Sequence, residues 1–356
     1  MKRRHFIKQS SIAAAGGLLI HQLPLNAGSG IFSAPKRHVV LCVVAGLATQ
    51  DFEKLFTSQG NQDVLNKGLI CAMNYGGAAA GHRLALEAIL RGKYIGESQS
   101  GQLPLAQLPL FHELRAYDKK YLVTSDRSFL KSPGFADNEI GAIHLQVSCS
   151  SQGENALMRG SKANFGLSAS VHPHPEIVAN LRNEIIERND SHHRRLLFYS
   201  EDLLVAETAC AVIRNEQPTL LVAHFMGADV AHGDVSQART NLQHIGTGIR
   251  RIWTTINNHP EMQDNTLLVV LSDFGRNGFH NSLVDKNGNF GTDHSVSDKN
   301  TTNTAALFAS NVADFQFPAI PKTDLLQSTD IFWMVQQFLG RENHLGLPKK
   351  DLLEQA

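Results

Sequence analysis

The chain has 356 residues, 42% hydrophobic and 19% charged, which is enough apolar material for a large buried core and too much for an intrinsically disordered chain. Lys plus Arg and Asp plus Glu number 33 each, so no excess of positive charge marks a nucleic-acid partner, and four cysteines are too few for a disulfide framework. The outlier is histidine, with 17 residues, the side chain that most often ligates metals and carries protons near neutral pH.

The chain opens with Arg3-Arg4-His5-Phe6-Ile7-Lys8, then the small and apolar run Ser10 to Ile20, then a polar stretch with Pro24, Asn26 and Gly28. A charged head, a short apolar core and a polar tail are the layout of an export signal. The head matches R-R-x-F-x-K and resembles the twin-arginine signal of bacteria. That resemblance implies a partner, the twin-arginine export machinery, and a periplasmic or otherwise exported cargo that folds first, often around a cofactor. The apolar run is shorter than the roughly 20 residues a membrane-spanning helix needs. No clean A-x-A cleavage site precedes Gly28 or Pro35, so the exported protein is expected either free or tethered by an uncleaved signal. The plain alternative is a basic tail before a short buried helix. Residues 1–34 are therefore assigned to signal and linker, 35–345 to one α/β domain, and 346–356 to a C-terminal tail.

Within the domain, His38 to Val44 is an apolar, β-branched run closed by Ala45-Gly46, the pattern of a strand buried on both faces. Thr219 to Ala223, ending at His224, and Thr266 to Leu271, ending at Ser272-Asp273, repeat it. Leu242, Ile245, Ile249, Ile252 and Ile256 recur at steps of three and four and predict an amphipathic helix from Ala238, although Gly246 and Gly248 lie inside it. Further helices are expected over Leu84–Leu90 and over Asp330–Leu339, stopped by Gly340. Strands alternating with helices predict a three-layer helix/sheet/helix sandwich with a mostly parallel central sheet. A stretch around 135–195, rich in Ser, Asn, Gly and His, reads as a lid or a loop-rich insertion. Cys42 and Cys210 sit in apolar surroundings and read as buried thiols; a bridge between Cys71 and Cys149 stays open.

Ligands of open α/β sheets gather at the carboxyl ends of the strands. There this sequence places Asp229 and His232 after the second strand, Asp273 and Arg276 after the third, and Asp293-His294 on a following loop. Carboxylate mixed with imidazole suits zinc, manganese or iron better than calcium. The three-residue step from Asp229 to His232 puts both on one face of a helical turn. The alternative is that Asp229 caps the next helix and His232 is an ordinary histidine.

Four stretches carry a resemblance: the first strand ending in Ala45-Gly46-Leu47, the Gly81-His82 turn into ALEAILRGKY, the block from ADVAHG to LLVVLSDFGRN, and TDHS followed by Ser328 to Gly340. In this order they resemble the alkaline phosphatase superfamily, which includes phosphatases, sulfatases and cofactor-independent phosphoglycerate mutases; the DFGRN and GTDH pair looks closest to an exported, sulfatase-like branch. The resemblance implies two metal sites flanking a Ser, Thr or formylglycine nucleophile. By position one site takes Asp229, His232 and His294, from a motif one residue shorter here than the family's D-x-x-x-H. In the other half Asp273 remains as a ligand, whereas Ala45 stands at the first-strand Asp, Ala78 at the nucleophile and Phe274 at a histidine.

One divalent transition metal is therefore expected, zinc first, with manganese and iron as alternatives. Water acidified by the cation is the remaining nucleophile, Asp273 or Asp293 the base, and Arg276 the group that steadies an anionic oxygen. His82 either faces this pocket or bonds backbone at its helix N-terminus; Tyr75 and Asn74 are candidate replacements for lost polar contacts, and His280 a candidate extra ligand, with His224 also near this edge. His172, His174, His192 and His193 read as solvated loop residues. The expected function is a metal-binding protein that hydrolyses small phosphate or sulfate esters. The alternatives are a catalytically degenerate relative that binds a ligand or partner without turnover, and a metal site that only stabilises the fold.

Overall fold

The computed structural model describes residues 36–57, 62–114, 118–126, 128–129, 141–146, 166–167, 201–313 and 325–340. Residues 1–35, most of the 135–195 stretch including His172, His174, His192 and His193, Cys149 and the 346–356 tail lie outside the described residues.

Nine strands are described: β1 (His38–Val44), β2 (Gly68–Asn74), β3 (Lys120–Thr124), β4 (Gly141–Gln146), β5 (Gly166–Leu167), β6 (Leu220–Phe225), β7 (Thr266–Ser272), β8 (Asn303–Ser310) and β9 (Leu326–Gln327). They form one sheet in the order β5-β4-β3-β6-β1-β7-β8-β2-β9. β4, β3, β6, β1 and β7 run parallel, β8 runs antiparallel between β7 and β2, and β5 is antiparallel to β4. The predicted mostly parallel α/β architecture is the observed one.

The burial of β1 on both faces follows from its composition. Val40, Cys42 and Val44 enter one core and Val39, Leu41 and Val43 the other. Each such aliphatic side chain contributes about 1.5–3 kcal/mol on burial. Four longer helices cover the sheet: α1 (His82–Arg91), α2 (Glu201–Glu216), α3 (Val235–Asn257) and α4 (Asp330–Phe338). Residues of α2 and α3 fill the first core, and those of α1 and α4 the second. Among the described residues no helix is long and apolar enough to cross a membrane.

Several sequence expectations are adjusted. Helix α3 begins at Val235, where the Asp234 side chain accepts from Gln237 N, so Asp234 and not Asp229 is its cap. Gly248 faces neighbouring helix α2 rather than the sheet, because a Cβ there would lie 2.6 Å from Ala206 Cβ. Strand β6 runs on through His224 to Phe225, held in register by Val43 and Thr124 on either side. Cys42, Cys71 and Cys210 are all buried, as expected for the first and last.

Candidate metal centre

The carboxyl ends of β1, β6 and β7 open on one edge, and β2 leads over a glycine turn to the N-terminus of α1 at the same edge. β6 is followed by the 3-10 turn Gly227–His232, in which residues three apart eclipse one another. The shortened motif therefore still brings its ends together: His232 Nε2 lies 3.2 Å from Asp229 Oδ1. The turn is pinned at its first residue, where Gly227 N donates to Asp202 Oδ1 (3.0 Å) and Gly227 O accepts from Asn241 Nδ2 (2.8 Å). Asp202 is buried, and burial raises its carboxyl to about 7.

Around Asp229 Oδ1 four nitrogens converge. His82 Nε2 lies at 3.0 Å, His232 Nε2 at 3.2 Å, His294 Nε2 at 3.6 Å and Arg276 Nη2 at 2.6 Å. Donor atoms of His82, Asp229 and His294 all lie within 4.8 Å of one another. Two imidazoles are oriented from behind by carboxylates: His82 Nδ1 is 2.6 Å from Asp273 Oδ2, and His232 Nδ1 is 2.7 Å from Asp293 Oδ1. A carboxylate on Nδ1–H fixes the tautomer whose Nε2 lone pair points into the cluster, as is usual behind metal-ligating histidines.

The residues fit a divalent transition metal. His82 Nε2 is buried and, although close to Asp229, makes no hydrogen bond; His294 Nδ1 is likewise buried without one. A borderline cation meets in the carboxylate oxygen of Asp229 and the imidazole nitrogens of His82 and His294 the ligands it prefers, with His232 beside Asp229 but outside that group. The charges are strongly coupled. Burial opposes ionisation of Asp229, but the imidazoles of His232, His294 and His82 gathered around it hold its carboxyl far below the usual range. Burial also opposes the His82 imidazolium, and the Asp273 and Asp229 carboxylates outweigh it, lifting His82 to about 10.

Two assigned roles change. Asp273, named as metal ligand and as base, is buried with both oxygens engaged: Oδ1 accepts from Gly46 N (2.8 Å) and Phe274 N (2.7 Å), while Oδ2 faces His82. It stands one imidazole behind the cluster. Arg276, named as an anion-steadying group, has its guanidinium spent inside the protein: Nε donates to Gly46 O, Nη1 to Thr292 O, and Nη2 to Asp229. It holds Asp229 in place.

The neighbouring half of the edge is apolar. Ala45 is buried, and its N–H donates to Phe225 O. Phe274 is buried and stacks on His82 with ring centroids 4.7 Å apart and planes at 23°; its centroid lies 4.6 Å from that of His294. Tyr75, Ala85 and Phe274 form a small cluster of their own. Tyr75 spends its hydroxyl on Ala79 O (2.6 Å), so it replaces no lost polar group. Asn74 uses its carbonyl to accept from Ser328 N. His280 is exposed with its ring 6.1 Å from Phe290, and buried His224 bonds Thr124; no contact with the Asp229 cluster is found for either.

His82 is the residue underweighted by sequence reasoning. Its only sequence signal is its place after a glycine turn at a helix start, and its two carboxylate partners come from distant segments.

No protein-family model matches the chain, and no curated protein matches its sequence. Solved structures do share its fold. A protein in the alkaline phosphatase superfamily from Vibrio parahaemolyticus aligns over 88% of this chain and 68% of its own, at 12% identity and a TM-score of 0.50. A 2-O GAG sulfatase aligns over 86% of this chain and 71% of its own, at 12% identity and a TM-score of 0.50. The chain thus has the α/β fold of the alkaline phosphatases and sulfatases.

Proposed function

We propose that this chain is an exported metal-binding protein that engages phosphate or sulfate esters through a single divalent transition metal and hydrolyses them with water. The observation that carries the reading is the convergence of three imidazole Nε2 atoms on Asp229 Oδ1 at 3.0–3.6 Å, two of them backed by carboxylates. Asp229, His232 and His294 would hold the cation, with His82 as a fourth donor in place of Asp273. Such a cation supplies Lewis-acid charge to an ester oxygen and lowers the pKa of water.

The chain's own residues have separable tasks. Arg276 keeps Asp229 ionised and fixed. Asp273 holds the His82 tautomer from behind. Asp293 is the carboxylate at the solvent boundary, its side chain 51% exposed, and hydrogen bonds from His232 and Asn281 keep its pKa below the ordinary value. Ionised at neutral pH, it orients the His232 ring from behind as Asp273 orients that of His82. Export rests on the R-R-x-F-x-K head of the chain. A second reading, binding without turnover, is favoured by Ala45, Ala78 and Phe274, which stand where the family carries its remaining metal ligands and its nucleophile.

Elemental analysis of protein exported by its own signal is expected to find about one transition-metal ion per chain. Finding none sinks both readings. Turnover of aryl phosphate, phosphodiester or aryl sulfate by the loaded protein, abolished in His294→Ala, separates hydrolysis from binding. If the wild type is silent and Ala45→Asp with Ala78→Ser gains activity, decay of the second half explains the silence.

A further inference from the structure

Large exposed hydrophobic side chains are concentrated at the candidate centre. Val230, Phe279, Leu283, Val284 and Phe290 are 41–62% exposed, and all lie in the two segments that carry Asp229, His232, Asp293 and His294. They do not sit on a loose loop. Val284 and Phe290 form an antiparallel bridge, and Asn281 N donates to Gly291 O. Asp285 accepts from Asn287 N and Asn289 N at the hairpin tip and from Ser236 N and Oγ at the start of α3. Asn281 Nδ2 ties the hairpin to His232 O and to Asp293 Oδ1, both at 2.9 Å. Apolar groups fixed outward by such a hydrogen-bond network mark a binding surface rather than ordinary surface scatter.

Behind the hairpin lies a cavity of about 800 Å³, a size typical of ligand sites. Its lining is mixed: Leu47, Leu242 and Phe290 are apolar, Asp51, Glu53 and Lys54 are charged, and Ala228 and Ala231 come from the turn that bears Asp229 and His232. A charged centre flanked by an apolar collar and a concavity matches a ligand with a charged end and an apolar end.

We propose that the centre takes an amphiphilic anionic ester, its tetrahedral oxyanion head at the Asp229 cluster and its alkyl or aryl part along the Phe279–Phe290 hairpin. This rests on reading the cluster as a cation site. The concavity favours a small molecule over a membrane or a second copy of the chain, because a flat partner leaves it unfilled, and the expected cation complements an anionic head.

The test uses full-length, zinc-loaded protein and titration calorimetry with inorganic phosphate, methyl phosphate and n-octyl phosphate below its micelle concentration. Octyl phosphate is expected to bind about ten-fold more tightly than methyl phosphate or better, from burial of its chain. Phe279→Ser and, separately, Leu283→Ser should each reduce that preference several-fold while inorganic phosphate binds as before, which also reports an intact fold. Equal binding of methyl and octyl phosphate, with inorganic phosphate still bound, overturns the proposal and spares the cation-site reading. Failure to bind inorganic phosphate at all overturns both. Tight sedimentation with anionic vesicles, without any octyl preference, overturns it in favour of a membrane-facing surface.

Discussion

The two halves of the sheet edge occupy equivalent places, just past parallel strands, and have opposite chemistry. Past β6, Asp229 gathers three imidazoles and a guanidinium, and carboxylates stand behind two of the rings. Past β1 and β7, Ala45 and Phe274 are buried and have no polar side-chain atom, and the carboxylate of Asp273 is satisfied by two backbone N–H groups and His82. The apolar half is closely packed. The Phe274 ring fills the space beside His82 and His294 and presents an aromatic face to both. A polar cluster with one wall of hydrocarbon holds its charge in a lower dielectric, which strengthens every interaction within it.

This contrast is broken most severely at its polar centre. Asp229→Asn removes the charge on which all four nitrogens converge and is expected to lower metal affinity by about three orders of magnitude or more, measured by chelator competition. If the variant retains its ion at wild-type affinity, the cluster is no metal centre. Next comes the apolar half: Phe274→Ala is expected to destabilise the fold by about 3–5 kcal/mol in denaturant titration. A loss below about 1 kcal/mol would mean that the ring is not a packed part of this edge.

The support of the ligand turn offers a pH-dependent version of the comparison. Because the folded state raises Asp202 to about 7, its favourable contribution is fully present below the carboxylate's ordinary pKa and disappears as pH climbs through 7. Asp202→Asn keeps an acceptor for Gly227 N and escapes that loss. Its melting temperature should match wild type only near the ordinary carboxylate pKa, at about pH 3.5, and exceed it increasingly up to pH 9, by an amount equivalent to roughly 2–4 kcal/mol. The smallest effect is expected one layer out from the cation: Asp273→Asn should weaken metal binding about 10–100-fold with little change in secondary structure by circular dichroism.

How much could be read from sequence differed between elements for physical reasons. Strands β1, β6 and β7 announce themselves because burial on both faces demands unbroken β-branched and aliphatic runs. Helix α3 does so because one face packs and the other meets water. Strand β8, with three alanines in Asn303–Ser310, lacks that composition, and α2, buried on most sides, has no polar stripe to reveal its period. At the site, Asp229, His232 and His294 were legible from strand ends and spacing. The partnership of His82 with Asp273, 191 positions apart, was not, since nothing local encodes it. Arg276 was misjudged because an arginine at a strand end looks available until the carbonyls of Gly46 and Thr292 are seen around it.

The place of β1 in the middle of the sheet sets a timetable. Its two neighbours, β6 and β7, are made long after it, so the ribosome must have passed residue 272 before this strand is hydrogen-bonded on both sides. Until then its six apolar residues are an exposed, sticky segment that slow, long-range pairing must eventually cover. The centre at the sheet edge therefore matures at the end of biogenesis, and a growing chain needs chaperone protection for most of its synthesis.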